Sequence, residues 1–401
     1  MKSFVLSLIS IIFSFHGLSS YAQSRADVIP ADDYIMLRSG LANTQKKIRS
    51  GNTTIAFLGG SITNMEGWRQ KICHALKMQY PDTRFNFINA GIGSLGSLPH
   101  AFRLSTDLPN LNKVDLLFVE AAVNDHANGT DSLTQLLALE GIIRQAKHAN
   151  PKIDIVMMEF SDPDKNQNYD KGKVPLEVLN HEKIAAYYQL ISINLAKLVH
   201  DKIQNGEFSW EKDFKNLHPS PFGQQLYFSV IKAALDKGLT AKSVSRPAQR
   251  LKSINPANFQ YGYYGMLSSA KLQSGWILKN DWQPADNMQT RPGFVHVPVL
   301  EGDSIGAVLT YNFKGTSIGL GVVSGPDAGT IEWSIDGSNF IKQELYTPWS
   351  NSLHLPWYVL LQSGLPDREH VLKIKISEIK NERSKGHACR IVHFLVNGNR
   401  K

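Results

Sequence analysis

The sequence has very little cysteine, with 2 residues among 401. Disulfide scaffolds and cysteine-based zinc modules need at least three or four closely spaced cysteines, so both classes are excluded. Cys73 and Cys389 are far apart in the chain. A single bond between them stays open, but we favour two separate buried thiols. We therefore expect no metal site and assign no cofactor.

Long charged runs are also missing. The net charge is +8, yet no five consecutive residues are Lys or Arg, and acidic residues interrupt the basic ones. The chain therefore lacks the pattern of a nucleic-acid-binding protein. Hydrophobic residues make up 42% and charged residues 19%. That balance is typical of a chain that buries a core, and it excludes a disordered chain or a coiled coil.

The N-terminus contains the one stretch that resembles a membrane segment. Lys2 precedes an apolar stretch over residues 4–15, and Ser20 and Ala22 supply the small residues of a cleavage site. The apolar stretch is too short and too interrupted by serine to span a membrane. We predict that residues 1–22 are a signal peptide. No cysteine follows it as a lipid anchor, so the mature chain is expected to be secreted or periplasmic.

The next part of the chain alternates between short apolar runs and helical patterns. This alternation predicts an α/β fold, with a parallel sheet covered by helices on both faces. We assign residues 23–245 to this domain. Its predicted strands are residues 53–58, 85–88, 114–121, 153–160 and 191–194.

The pattern changes after residue 245. Residues 246–268 read as a linker, and residues 269–401 read as short strands separated by turns, with no helical period. Asp336-Gly337 is a hairpin-type turn signal. We therefore predict a second domain that is an all-β sandwich of a jelly-roll-like kind.

Polar residues follow the predicted strands of the first domain. Ser61 comes directly after the first strand, Gly93 after the second and Asn124 after the third, while His218 precedes the last helix. Ligands of open α/β sheets bind outside the carboxyl ends of the strands. A serine, a histidine and oxyanion donors at one sheet edge indicate nucleophilic catalysis. Asp213 is the nearest acid before His218 and could orient its ring.

At this point the sequence resembles the SGNH hydrolases, also called the GDSL esterase superfamily. The resemblance covers residues of about 50–240 and implies a flavodoxin-like parallel sheet. Four blocks in the family's order carry it: GGSIT at 59–63, NAGIGS at 89–94, VEAAVND at 119–125 and HPSPFGQ at 218–224.

The resemblance implies a role for each block. Ser61 would be the nucleophile and His218 the general base. The Ser61 amide, an amide of the glycine block and the Asn124 side chain would form the oxyanion hole. The amide of the glycine block belongs to Gly93 or to Ser94.

The sequence departs from the family at the acid. Many members place an aspartate three residues before the histidine, where this chain has Lys215. We expect Asp213 to replace that aspartate and complete a triad. A Ser-His dyad, assisted by a backbone carbonyl, is the alternative.

The predicted sandwich is rich in aromatic residues, which stack on sugar rings or fill a core. Trp349 and His354 lie in a turn-rich segment and are candidate substrate contacts. The resulting hypothesis is a secreted serine esterase that removes O-acetyl groups from a polysaccharide or oligosaccharide. A lipid or small-ester hydrolase and a non-catalytic glycan-binding protein are the alternatives. The aromatic residues are Trp333, Tyr346, Trp349, Trp357 and Tyr358.

Overall fold

A computed structural model describes residues 31–241 and 252–399. The predicted signal peptide, residues 1–22, lies outside these ranges. Within them, no helix combines the length and the apolar character that crossing a bilayer requires.

The first sheet has six strands in the order β1-β6-β5-β4-β2-β3. Strands β2 to β6 run parallel, and the two-residue β1 pairs antiparallel with β6 at one edge. The predicted parallel sheet is therefore confirmed, whereas strand β1 was not predicted. The strands are β1 (Ile35–Met36), β2 (Asn52–Gly59), β3 (Arg84–Gly91), β4 (Leu116–Glu120), β5 (Asp154–Met158) and β6 (Ile191–Ile193).

Helices cover both faces of this sheet. The last one begins after Ser220, whose hydroxyl caps it, and runs two residues beyond Gly238, a residue type that often ends a helix. A Cβ at Gly238 would lie 2.8 Å from the Leu41 side chain, so this glycine permits close packing rather than ending the helix. The helices are α1 (Ala42–Arg49), α2 (Ser61–Asn64), α3 (Trp68–Gln79), α4 (Ser97–Asp107), α5 (Ala122–Ala127), α6 (Ser132–Ala149), α7 (Pro163–Asp170), α8 (Leu176–Tyr187), α9 (Leu195–Gln204) and α10 (Pro221–Thr240).

The strand residues alternate between two apolar cores, because successive side chains of a strand point to opposite faces. On one face Phe57 stacks on Phe118 with 5.1 Å between ring centroids, and Trp68 of α3 packs edge-on against both. Leu58 and Leu117 belong to the core on the other face. Burial on both faces explains why these strands read as nearly continuous apolar runs.

The second domain consists of two antiparallel sheets. One contains β15-β12-β17-β10-β9, with β7 also paired to β17, and the other contains β14-β13-β16-β11-β8. An antiparallel sandwich was predicted and is confirmed. Its strands are β7 (Gly262–Gly265), β8 (Ala270–Leu272), β9 (Trp276–Trp282), β10 (Val297–Gly302), β11 (Val308–Gly315), β12 (Ser317–Ser324), β13 (Thr330–Ile335), β14 (Ile341–Glu344), β15 (Leu355–Gln362), β16 (Arg368–Ile376) and β17 (Cys389–Asn397).

The sandwich core lies between the two sheets. Tyr311 of β11 stacks on Phe394 of β17 with 3.7 Å between ring centroids. Asp336 and Gly337 follow β13, and both have a positive φ, at 53° and 80°. This conformation fits the predicted tight turn, which connects β13 to its partner β14.

The described end of the predicted linker 246–268 packs against the first domain. Strand β7 lies in this segment and pairs with β17. Phe259 is fully buried and its ring lies 5.0 Å from that of Phe102 in α4. Gly141 of α6 allows this approach, because a Cβ there would lie 2.7 Å from the Phe259 backbone.

Polar contacts fasten the same segment. The side-chain amide of Gln145 donates to the carbonyls of Ala101 and Phe259, both at 2.7 Å. The carboxylate of Glu140 accepts hydrogen bonds from the backbone N–H groups of Ile254 and Asn255. Hydrogen bonds therefore help to join the two domains through this segment.

Candidate active site

Ser61 is the first residue of α2, directly after the Gly59-Gly60 pair that ends β2. Its Oγ lies 2.8 Å from Nε2 of His218, which comes from the loop before α10. The structure therefore brings together the predicted nucleophile and base, although they are far apart in sequence. This distance is within the range in which a histidine accepts a serine proton.

A local hydrogen bond holds the loop of His218. The His218 N–H donates to Oδ1 of Asn216 at 2.7 Å, and Lys215 has a left-handed φ of 78°. Partial desolvation lowers the pKa of His218, and the positive charge of Arg291 lowers it further. Both effects favour the neutral imidazole, which is the form that accepts a proton.

Asp213 does not contact His218. Its Oδ2 accepts a hydrogen bond from the Ser209 N–H at 2.8 Å, which closes the π-helical turn Trp210–Phe214. In the described ranges no hydrogen bond joins the Asp213 carboxylate to the His218 ring. The geometry therefore contains the predicted serine-histidine pair without the predicted acid.

Asn124 lies beside the nucleophile loop. A Cβ built on Gly60 would lie 2.0 Å from Nδ2 of Asn124, so the amide occupies the space that a side chain at residue 60 would need. The glycine block is close as well, because a Cβ on Gly93 would lie 3.8 Å from the Ser61 Cβ. The next residue, Ser94, has a left-handed φ of 71°. Loops from three strand ends therefore converge on Ser61.

Buried ionisable groups hold the Asn124 loop from several sides. Burial raises the pKa of Asp125 to about 7, and its Oδ1 accepts hydrogen bonds from both the N–H and the hydroxyl of Ser97. The Nζ of Lys165, a fully buried residue, donates to the Ala122 carbonyl at 3.1 Å and pairs with Asp162. These contacts hold the Asn124 loop in place and do not involve Ser61.

His126 fastens the far end of this loop. Its ring lies 3.4 Å from the carboxylate of Glu177 and 2.9 Å from that of Asp164. The bond to Glu177 is the main reason that the pKa of His126 rises to about 9. The ring is therefore charged and ties α5 to α7 and α8.

The second domain contributes a segment to the site. We call residues 283–296, which connect β9 to β10, the strap. Its Arg291 is close enough to His218 to affect the pKa of that ring. Phe294 of the strap belongs to a buried apolar cluster, and Ile92 of the glycine block packs against this cluster. The strap therefore lies between the sandwich and the catalytic loops.

His354 is an anchor of the strap. It is only 3% exposed, and its Nε2 lies 3.0 Å from both carboxylate oxygens of Asp286. The His354 N–H also donates to the Gln289 carbonyl at 2.8 Å. The structure thus places this predicted substrate contact inside the domain.

Trp349 is different, because its residue surface is 49% exposed. It lies in the irregular segment between β14 and β15, as predicted. The other aromatic residues do not combine exposure with a position in an irregular segment. Trp333 and Tyr346 are in the sandwich core, while Trp357 and Tyr358 lie in strand β15 rather than in a loop.

The described ranges show no obvious side-chain group for metal or redox chemistry. They contain no cluster of three or more His, Cys, Asp or Glu side chains that could hold a metal ion. Cys73 and Cys389 are both free thiols.

Sequence reasoning missed two groups of the site. Glu120 is a charged residue at the end of an otherwise apolar strand, and this contrast could have pointed to it from the sequence alone. Arg291 has no such signal, because it reaches the site through the packing of another domain.

The chain is similar to several known proteins. Residues 57–226 match the model of the GDSL-like Lipase/Acylhydrolase family. No curated protein matches the chain. Among solved structures, a two-domain esterase active on acetylated mannans is similar over 93% of this chain and 99% of its own, with 20% identity and a TM-score of 0.75. It was solved alone and co-crystallised with mannopentaose.

Other structures resemble only part of the chain. An acetylxylan esterase from Geobacillus stearothermophilus covers 48% of this chain and 97% of its own, with 16% identity and a TM-score of 0.39. The likeness to the mannan esterase, by contrast, includes both domains, and it establishes a shared two-domain fold.

Proposed function

We propose that this chain, whose residues 57–226 match the GDSL-like lipase/acylhydrolase family, is a carboxylic ester hydrolase that removes O-acetyl groups from a polysaccharide. The observation that carries the mechanism is the 2.8 Å distance between Ser61 Oγ and His218 Nε2. It gives a nucleophile and a base in direct contact at the carboxyl edge of the sheet.

The first half of the reaction forms an acetyl-enzyme. Ser61 Oγ attacks the acetyl carbonyl carbon while His218 Nε2 accepts the hydroxyl proton. The bond between the carbonyl carbon and the sugar oxygen then breaks, and His218 returns the proton to that oxygen. In the second half His218 takes a proton from water, which attacks the acetyl group, and acetate leaves as Ser61 regains its proton.

The oxyanion of both tetrahedral intermediates needs hydrogen-bond donors. We assign this role to the N–H groups of Ser61 and Gly93 and to the side-chain amide of Asn124. Their support is the close approach of the three loops on which they lie. Removing one such donor typically costs about 10²–10³ in kcat.

We further propose that His218 works with Ser61 as a dyad. The contact of the Asp213 carboxylate with Ser209 supports this choice over a triad. The pKa of His218 is lowered, so its ring is neutral and can accept the Ser61 proton.

The proposed substrate rests on the second domain. The two-domain likeness to an esterase active on acetylated mannans supports an acetylated glycan. The exposed Trp349 supports it too, because an aromatic face can stack on a sugar ring. The apolar stretch after Lys2 supports secretion, which would bring the enzyme to such polymers.

Acetate release from acetylated mannan and acetylated xylan tests the proposal, with the fully deacetylated polymers as blanks. The same enzyme is assayed on p-nitrophenyl acetate and on a long-chain p-nitrophenyl ester. We expect acetate release from at least one polymer and poor hydrolysis of the long-chain ester. Efficient long-chain hydrolysis without acetate release would favour a lipase instead.

Ser61→Ala and His218→Ala are the matched variants. Loss of a nucleophile in such a unit typically lowers kcat by about 10³–10⁶. Thermal unfolding checks that the fold is kept. Substantial activity in Ser61→Ala would refute the proposed nucleophile, and inactivity of the wild type on every ester would favour a glycan-binding protein.

A further inference from the structure

Glu120 is the last residue of β4 and is only 1% exposed. Burial of a carboxyl is unfavourable unless hydrogen bonds compensate for the lost water. Its Oε1 accepts a hydrogen bond from the Val123 N–H at 3.2 Å. The carboxyl is also close enough to the Gly60 N–H for that group to lower its pKa. The side chain therefore bonds the Asn124 loop and lies beside the nucleophile loop.

Both partners directly precede residues of the proposed mechanism. Gly60 is followed by Ser61, and Val123 is followed by Asn124. These loops leave neighbouring parallel strands, β2 and β4. The paired register of β2 and β4 ends at Leu58 and Val119, before either loop begins. The Glu120 carboxyl thus continues the connection at the point where the ladder stops.

We propose that Glu120 is a positioning residue that fixes the Asn124 amide relative to the nucleophile loop. The inference rests on the proposed roles of Ser61 and Asn124. An oxyanion hole works only when its donors converge on one point, and misplacement by about 1 Å can cost about 10²-fold in rate. Glu120 acts on the reaction through these two loops and does not itself contact the ester.

The other groups around the loop do not provide this link. Lys165 donates to the Ala122 carbonyl, and Asp125 accepts from Ser97 of α4. Neither bonds the Gly59–Ser61 turn. Removing Glu120 would therefore leave the Asn124 loop attached to its helices while freeing its distance from Ser61.

Glu120→Met and Glu120→Gln form the test. Methionine fills a similar volume but gives the Val123 N–H no acceptor and removes the carboxyl beside Gly60. Glutamine keeps an acceptor oxygen. On p-nitrophenyl acetate we expect Glu120→Met to lower kcat by about 10²-fold with KM nearly unchanged. Glu120→Gln should recover most of the lost kcat.

Glu159→Met is the matched control. Glu159 directly follows the neighbouring strand β5 and is fully buried, and in the described residues its carboxylate has no hydrogen-bond partner. It should keep wild-type kcat. Equal kcat losses in Glu120→Met and Glu159→Met, with equal losses of melting temperature, would overturn the inference.

If Glu120→Met folds poorly, a second variant still tests the inference. Glu120→Asp keeps the carboxylate but withdraws it by one methylene, so kcat should fall while KM stays constant. In an Asn124→Ala background the loss caused by either variant should shrink, because the group being positioned is gone. Fully additive losses would overturn the inference.

Two outcomes distinguish failure of the proposed function from failure of the role assigned to Glu120. High activity in Ser61→Ala would refute the proposed function itself. An inactive Ser61→Ala together with unchanged kcat in Glu120→Met would refute only the role of Glu120.

Discussion

The side-chain amide of Asn124 fills the position that a Cβ of Gly60 would occupy, with 2.0 Å between the two sites. Real Cβ atoms do not approach another atom so closely. Gly60 is therefore required by the position of the Asn124 side chain, and not only by the turn at the end of β2.

Gly60→Ala should consequently inactivate the enzyme. The new methyl group must displace the Asn124 amide, so kcat on p-nitrophenyl acetate should fall by about 10²-fold or more. Gly93→Ala is the comparison, since its Cβ would meet Ser61 Cβ at 3.8 Å, an ordinary contact, and its N–H is kept. Its loss should be clearly smaller. Similar losses in both variants would show that Asn124 is not the affected group.

Asp213→Asn should have little effect on catalysis. The asparagine oxygen can still accept from the Ser209 N–H, and the carboxylate does not contact His218. In a triad the same type of change costs about 10⁴ in kcat. We expect kcat within about threefold of the wild type, far above that of His218→Ala. A loss near 10⁴ would establish Asp213 as the acid and refute the dyad.

Arg291→Gln should move the acid limb of the pH profile of kcat/KM to higher pH. The positive charge lowers the pKa of His218, so removing it raises that pKa and leaves more of the ring protonated at a given pH. Activity should fall on the acid side and be retained at alkaline pH. Arg291→Lys should keep the wild-type profile. A profile unchanged in Arg291→Gln would place Arg291 outside the site.

Trp349→Ala should affect polymers more than small esters. The exposed ring is far from a core role, so the melting temperature should stay nearly constant. Orientation of a bulky glycan affects kcat as well as affinity. We therefore expect a large loss of acetate release from acetylated polymer and little change on p-nitrophenyl acetate. Equal losses on both substrates at constant melting temperature would contradict a glycan contact.

Glu159→Gln should stabilise the protein at alkaline pH. Burial, with the nearby charge of Glu182, raises the pKa of Glu159 well above its ordinary value. The folded state therefore holds a proton that the unfolded state releases, and stability is lost as pH rises above the ordinary glutamate pKa. Urea unfolding at pH 8 should show a larger free energy of unfolding for Glu159→Gln than for the wild type. The gain should vanish at pH 4.

Local pattern was enough to predict that Ser61, Gly93 and Asn124 lie at one edge of the sheet, because each follows a strand. The 2.8 Å distance between Ser61 Oγ and His218 Nε2 agrees with the predicted pair. The catalytic roles of these residues are proposals. Asp213 was chosen because it is near His218 in sequence, but the π-helical turn directs its carboxylate back to Ser209. Proximity in sequence does not fix side-chain direction.

Contacts between distant segments of the chain could not be predicted from sequence patterns. His354 occurs in a turn-rich segment, yet it is buried because Asp286 of the strap binds it. Arg291 reaches His218 only through the packing of the strap. The two-residue strand β1 was missed for another reason, since two residues are too few to show a period.

The contact between Gly141 and the Phe259 backbone affects how the enzyme receives its substrate. Domains in one chain move relative to each other unless their interface is extensive and well packed. Here a backbone segment lies directly on a helix, with no side chain between them, so the junction has no free hinge at this point. The sandwich therefore cannot swing freely against the first domain at this contact, and a substrate bound by both domains would meet a preformed site. Heat should accordingly melt both domains in one transition.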